Sequence, residues 1–258
     1  MNNFYFIAVN YATSNLIETW AKSIYKFIQG ANLIVIDNFS SNIEVENVKL
    51  LKEKLRLEVI YSENVGYGSA LNKGISMVLS LNENAILFCS NLDIVYLSLP
   101  TKLPQGKFVY VPKVREDKGI DRNPFLTIFQ KKLIPLYGFA AERKSMSLYI
   151  LALVLNKIAG YRISPIWAIH GSLFCFNASI VSNIENLPFN DKSFLYAEEY
   201  EFASFVENEH GKFIYSSIEI FHKRNASTFS FLQFGTKHYI KKYWSRSFLN
   251  YISRQKLT

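Results

Sequence analysis

Apolar runs of four to seven residues alternate with stretches whose apolar positions recur at helical spacing over the first ninety residues. "NFYFIAVNY" (3–11) reads as a buried strand that ends on polar residues. "TSNLIETWAKSIYKFI" follows, with Leu16, Trp20, Ile24 and Phe27 near one helical face, and Thr13 or Ser14 placed to cap it ahead of Glu18. "ANLIVIDN" (31–38) predicts a second strand, and a turn then leads into a helix reaching about Leu55. "RLEVIYSE" predicts a third strand, "ALNKGISMVLSL" a third helix starting near Ser69, and "NAILFCSNLDI" a fourth strand. Strands alternating with helices in this way form a parallel sheet with right-handed crossovers.

In such sheets ligands bind beyond the carboxyl ends of the strands. Here those ends carry Asn10-Tyr11, Asp37-Asn38, Glu63-Asn64 and Asn91 to Asp93, so four polar clusters are expected along one edge. Between about 100 and 165 the pattern loosens, apart from an apolar helix in "SMSLYILALVLNKIAG". Strands return in "IHGSLFCFN" and "KFIYSSIEIFH". The segment "AEEYEFASFVENEHG" has helical spacing, and the region after about Phe231 reads as helix.

Composition narrows the class. At 49% hydrophobic and 19% charged over 258 residues, the chain can bury a substantial core. Cys89 and Cys175 sit in apolar runs and read as reduced, buried thiols of a cytosolic protein. The N-terminus lacks the basic start of a secretory signal, and "LYILALVL" (148–155) is too short to span a bilayer. The +8 net charge is carried by the C-terminal end. No acidic residue follows Glu219, whereas eight Lys and Arg do. Such a tail suits anionic lipid or phosphorylated substrates; no recognisable nucleic-acid module surrounds it.

Five stretches carry candidate chemistry. "ENVGYGSALNKGI" (63–75) places Gly66 and Gly68 where the backbone can turn sharply and approach a ligand at a helix start, flanked by Asn64 and Asn72. It is neither the dinucleotide fingerprint nor a P-loop. "CSNLDI" puts Asn91 and Asp93 two apart at a strand end, a spacing that suits Mg²⁺ or Mn²⁺ or a plain polar turn. "AIHGSLFCFN" offers His170, read more readily as structural. "EIFHKRNAST" offers His222 at a strand end beside Lys223 and Arg224, a pattern that suits a diphosphate or metal contact or a plain half-buried surface histidine. "SFLYAEEYEF" crowds Glu198, Glu199 and Glu201 into four positions. Carboxylates suit a helix start, which accounts for two of the three.

Taken in order, "IAVNY", "IDNFSSN", "NVGYGSALNKGI", "SNLDI", "HGSLFCF", "FLYAEEYEF" and "FHKRNAST" resemble the family-2 glycosyltransferases of GT-A fold over roughly residues 5–228. The resemblance is to bacterial capsule, O-antigen and exopolysaccharide enzymes, including rhamnosyl- and galactofuranosyltransferase-like sequences. It implies a Rossmann-like, mostly parallel central α/β sheet flanked by helices, spanning 1–230, with a basic aromatic helical tail over 231–258. It also implies a nucleotide and donor-sugar pocket lined by Asn10, Tyr11, Asp37, Asn38, Asn64, Gly66, Gly68, Asn72, Lys73 and Asn91. Asp93 matches the last aspartate of a D-x-D-like metal motif whose first position is Asn91 here, and Leu92 stands where proline is common. His222 matches a histidine that approaches the metal or the diphosphate.

Glu199 takes the place of the general base in the family's E-D or E-E pair. Glu198 supports it, and Glu201 is expected on the solvated face. The implied donor is a UDP- or dTDP-sugar with Mn²⁺ or Mg²⁺. The implied acceptor is an undecaprenyl-diphosphate-linked saccharide at the anionic inner face of the cell membrane. In the tail Ile240, Trp244, Phe248 and Tyr251 share a helical face opposite Lys242 and Arg246, which suits a membrane surface or packing on the domain. Two rival readings are a non-catalytic glycan-binding module of the same fold and a nucleotidyltransferase. "VNYATSN" lacks the glycine- and arginine-rich loop with lysine that the latter needs.

Overall fold

The computed structural model of the chain describes residues 3–117, 119, 121–143, 146–160, 164–191, 193–195, 197–223 and 251. Strands β1 (Phe4–Asn10), β2 (Asn32–Asn38), β3 (Glu58–Ser62) and β4 (Ile86–Ser90) alternate with helices α1 (Ser14–Tyr25), α2 (Asn42–Leu55) and α3 (Tyr67–Leu81). Strands β5 (Ile94–Ser98) and β6 (Phe108–Arg115) follow. The short strands β7 (Leu126–Thr127) and β8 (Ile166–Ala168) bracket helices α4 (Ile128–Lys131), α5 (Ile134–Glu142) and α6 (Met146–Gly160). Strand β9 (Leu173–Asn177), helix α7 (Glu198–Asn208) and strand β10 (Lys212–His222) complete the order.

The large sheet runs β3-β2-β1-β4-β9-β6-β10-β5, and β7 pairs with β8 separately. The first four strands are mutually parallel, as is β6 with β10; β9 and β5 run antiparallel to their neighbours. This is the expected α/β class with a large central sheet between helices. Side-chain alternation explains why both faces are covered. In β1, Phe6 and Ala8 pack under Ile17, Trp20 and Ile24 of α1, while Ile7 and Val9 pack under Ala70, Leu71, Ile75 and Val78 of α3. Burying such a side chain is worth about 1.5–3 kcal/mol. At Gly74 the helix lies so close to the sheet that a Cβ would stand 2.6 Å from Ile7 Cγ2.

The loosened stretch holds a central strand. Pro112 lies inside β6, where it can donate no ladder bond, and the β6–β10 register shifts across it. Ser216 Oγ donates to the Val111 carbonyl at 3.0 Å in that irregularity. The α1 cap also differs from expectation. Neither Thr13 nor Ser14 caps through its side chain; the Ser14 N–H donates to Glu44 Oε2 at 2.9 Å, so α2 supplies the acceptor. Glu18 pairs with Lys22 and Lys54.

Most of the tail, and with it the face formed by Ile240, Trp244 and Phe248, lies outside the described residues. Tyr251 is buried, its hydroxyl 2.9 Å from Ser204 Oγ and its ring 5.6 Å from that of Tyr200. Among the described residues no helix is long and apolar enough to cross a membrane.

Candidate active site

Because β1 to β4 are parallel, their carboxyl ends share one edge. Asn10 and Asp37 are register partners there, and Asn10 Nδ2 donates to Asp37 Oδ1 at 2.9 Å. Asn10 Oδ1 in turn accepts from the Thr13 N–H and hydroxyl, so this amide is occupied in orienting Asp37. The other oxygen, Asp37 Oδ2, is buried without a hydrogen-bond partner among the described residues. Burial raises the Asp37 pKa, the Asn10 bond lowers it, and Glu44 nearby raises it again. A buried acceptor of this kind is what a nucleoside hydroxyl or base N–H would satisfy. Tyr11 follows at the half-exposed start of the β1–α1 turn, where Ala12 adopts φ 55° and donates its N–H to Ser40 Oγ.

The next pair is Asn38 and Asn64. Asn38 Nδ2 donates to Asn64 Oδ1 at 3.0 Å, and Asn38 Oδ1 accepts the Val65 N–H at 3.0 Å. Together they fix the turn into α3. At that turn Gly66 has φ 88° and ψ 167°, a region essentially reserved for glycine. The close approach it permits is to the chain itself: a Cβ there would lie 2.4 Å from the Phe194 carbonyl oxygen, which accepts the Tyr67 N–H. Gly68 likewise makes room for Phe189, whose main chain Asn72 clamps with bonds of 2.6 and 3.3 Å. Asn72 and Lys73 line a groove of about 540 Å³ along α3 with Met77, Ile184 and Leu187, and Lys73 Nζ donates to Ser62 Oγ.

The glycine motif therefore seats the segment that leads into α7. Gly66→Ala should lower stability by about 1–3 kcal/mol from backbone strain alone, more with the overlap at Phe194. A denaturant melt reads this directly, and an unchanged midpoint would contradict it.

Asp93 and His222 meet where β5 begins and β10 ends, with Ile94 and His222 in register. Asp93 is buried, and His222 Nε2 lies 3.4 Å from its Oδ1. His222 Nδ1 faces Glu116 Oε1 at 3.7 Å. The opposite oxygen of Glu116 takes the Arg122 guanidinium at 2.7 and 2.5 Å. His170, its ring 5.4 Å from that of His222, completes a group: one donor atom each from Glu116, His170 and His222 lie within 4.8 Å of one another. His170 is fixed from two sides. Asn123 Oδ1 accepts its N–H at 2.8 Å, and Ser172 contacts its Nδ1 through both hydroxyl and N–H. Asn91 flanks the cluster, half-exposed, its N–H on the Ser172 carbonyl.

Carboxylate oxygens mixed with imidazole nitrogens suit a divalent transition ion. Glu116, His170 and His222 each bring one such atom within 4.8 Å of the other two. The residues fit a cation.

Glu199 projects from the first turn of α7 against Gly171. A Cβ at Gly171 would stand 2.5 Å from Glu199 Oε1, so only glycine leaves this carboxylate its place. Desolvation raises the Glu199 pKa, partly offset by N–H groups of Gly171 and of Glu199 itself. Glu198 is buried at the helix start. Glu201 is buried too, contrary to the solvated position expected of it. Asn190 and Ser193 lie against the first turn and need an acceptor. The Ser193 hydroxyl donates to Glu201 Oε1 at 2.5 Å and the Asn190 N–H to Oε2 at 3.0 Å.

Between these groups lies the Tyr67 hydroxyl, buried without a hydrogen-bond partner among the described residues. Burial first, then the charges of Glu198, Asp93 and Glu199 among others, raise its pKa well above 10, so it stays a neutral donor. Glu44, Glu116 and Tyr67 were not singled out by sequence. Only Tyr67 had a signal, its place inside the G-Y-G turn.

No family model matches the chain, and no curated protein matches it. Solved structures do. The mannosyltransferase PcManGT from Pyrobaculum calidifontis, in complex with GDP-Man and Mn²⁺, aligns over 85% of this chain at TM-score 0.54 and 15% identity. S. aureus TarS aligns over 88% at 0.50 and 12%, and residues 1–349 of TarS in complex with UDP-GlcNAc over 86% at 0.50 and 11%. The chain spans 56% of the first, 37% of the second and 58% of the third. The likeness shows the fold alone: the chain has the architecture of these structures.

Proposed function

We propose that the chain is an inverting glycosyltransferase. It moves rhamnose or another hexose from a UDP- or dTDP-sugar to an undecaprenyl-diphosphate-linked saccharide in capsule or O-antigen assembly, as a peripheral protein of the inner membrane face. The observation that carries this reading is Glu199: a half-buried carboxylate of raised pKa, wedged against Gly171 beside the Glu116–His170–His222 group. The ordered motifs and the nucleotide-sugar complexes of similar fold support it.

In this reading Asp37 Oδ2 accepts a hydrogen bond from the nucleoside, held in place by Asn10. Glu199 accepts the proton of the acceptor hydroxyl as that oxygen bonds to the anomeric carbon and the bond from that carbon to the diphosphate breaks. A raised pKa makes Glu199 a better proton acceptor near neutral pH than an ordinary carboxylate. Tyr67 offers a neutral hydrogen bond to the sugar or diphosphate. Glu116, His170 and His222, with Asp93 3.4 Å from His222 Nε2, would hold Mn²⁺ or Mg²⁺. Such an ion supplies positive charge for the departing diphosphate.

Asp37→Ala tests the nucleoside contact. Loss of a hydrogen bond to a charged acceptor costs about 1.5–3 kcal/mol, roughly a tenfold to hundredfold weaker affinity for UDP or dTDP by calorimetry. Unchanged affinity would remove Asp37 from the pocket.

A further inference from the structure

Helix α6 is built inside out. Its buried and half-buried positions, Leu148, Ala152, Asn156 and Ala159, form one narrow stripe at helical spacing. That stripe meets α4 and α5: the Tyr137 hydroxyl donates to the Ala152 carbonyl at 3.1 Å and Gln130 Nε2 to the Asn156 carbonyl at 3.3 Å. The large apolar side chains Ile150, Leu151, Leu153, Val154, Leu155 and Ile158 cover the rest and are 37–56% exposed. The adjoining helices expose Phe129 and Phe139 as well. Contiguous apolar surface on this scale marks an interaction site rather than ordinary solvated surface.

Charge identifies the partner. Residues 128–160 carry Lys131, Lys132, Arg143, Lys144 and Lys157 against the single acid Glu142. Lys131 is engaged by Glu207. Lys132 Nζ lies 5.6 Å from the centre of the exposed Phe129 ring, and the Arg143 guanidinium 5.0 Å from that of Phe139. Cation and ring thus form paired anchors, the ring able to enter acyl chains while the cation reaches headgroups. At 15 residues α6 is about 22 Å long, too short to cross the hydrocarbon core but suited to lie along it.

We propose that the α4–α6 insertion docks the protein on an anionic lipid bilayer. A second copy of the chain would bring these cations, and a +8 net charge, against themselves. This deepens the peripheral-membrane part of the reading above. Binding is measured without donor or acceptor, so failure of docking and failure of sugar transfer are read separately.

The test is flotation of the full chain with phosphatidylcholine vesicles, with and without phosphatidylglycerol. The wild type should float only with the anionic vesicles. The exposed triple change Ile150→Asn, Val154→Asn, Ile158→Asn should weaken binding about tenfold or more, with an unchanged melting temperature. Lys132→Glu with Lys157→Glu should weaken it as well and flatten its salt dependence. Vesicle binding untouched by either set would overturn the proposal and leave the tail as the anchor. So would self-association in lipid-free buffer that the triple change abolishes, with no vesicle binding by the wild type.

Discussion

Glu199→Gln should reduce sugar transfer about 10²- to 10⁴-fold, the range expected when a positioned base is removed, while donor affinity stays within about twofold. The amide keeps the shape of the side chain and can still accept the N–H groups of Gly171 and Glu199, but it cannot take a proton. The same substitution should make the protein more stable at neutral pH. Glu199 is raised from its ordinary 4.5 by burial, so the fold favours its protonated form. The stability that this protonation contributes is complete below pH 4.5 and is lost as pH rises through the folded value. At neutral pH the wild type therefore carries a half-buried charge that the variant lacks. Thermal melts at neutral and acid pH check this: the variant's advantage should shrink on acidification. Transfer by the wild type should fall, as pH drops, at a higher pH than an ordinary carboxylate would give.

Asp93→Ala should abolish the metal dependence of nucleotide binding. In the wild type, UDP or dTDP should bind about a hundredfold more tightly with Mn²⁺ than without, as expected where a cation neutralises a diphosphate. Asp93 and His222 join the starts and ends of adjacent strands, and Glu116 is anchored by Arg122, so the remaining donors should stay in place. A second variant, His222→Gln, should give the same loss by removing the imidazole that stands between the two carboxylates. Equal affinity with and without Mn²⁺ in the wild type would remove the cation from this account.

What the sequence reveals here follows physical rules that are local. Strands buried on both faces read as unbroken apolar runs, and Ile17, Trp20 and Ile24 give α1 its period, so the first half of the sheet is legible. β6 is not, because Pro112 looks like a strand breaker until the register shift around it is seen. Glu201 looks solvated by helical spacing; that Asn190 and Ser193 cover it is a matter of loop packing that helical spacing does not encode. Glu116 joins His222 only because β6 lies beside β10. The glycines of 66–68 are legible as a sharp turn, but that they seat Phe189 and Phe194 is a tertiary fact. The exposure of α6 inverts the ordinary inference from an apolar helix to a core position.

The central claim is that this strand edge consumes a nucleotide diphosphate sugar with Glu199 as the proton acceptor. Release of nucleoside diphosphate from a panel of UDP- and dTDP-sugars, with Mn²⁺ and a lipid-linked saccharide acceptor, tests it most directly. Wild-type protein should release the nucleotide from at least one donor, and Glu199→Gln should bind that donor without releasing it. Equal release by both proteins, or binding by the wild type with no turnover of any donor, would contradict the account.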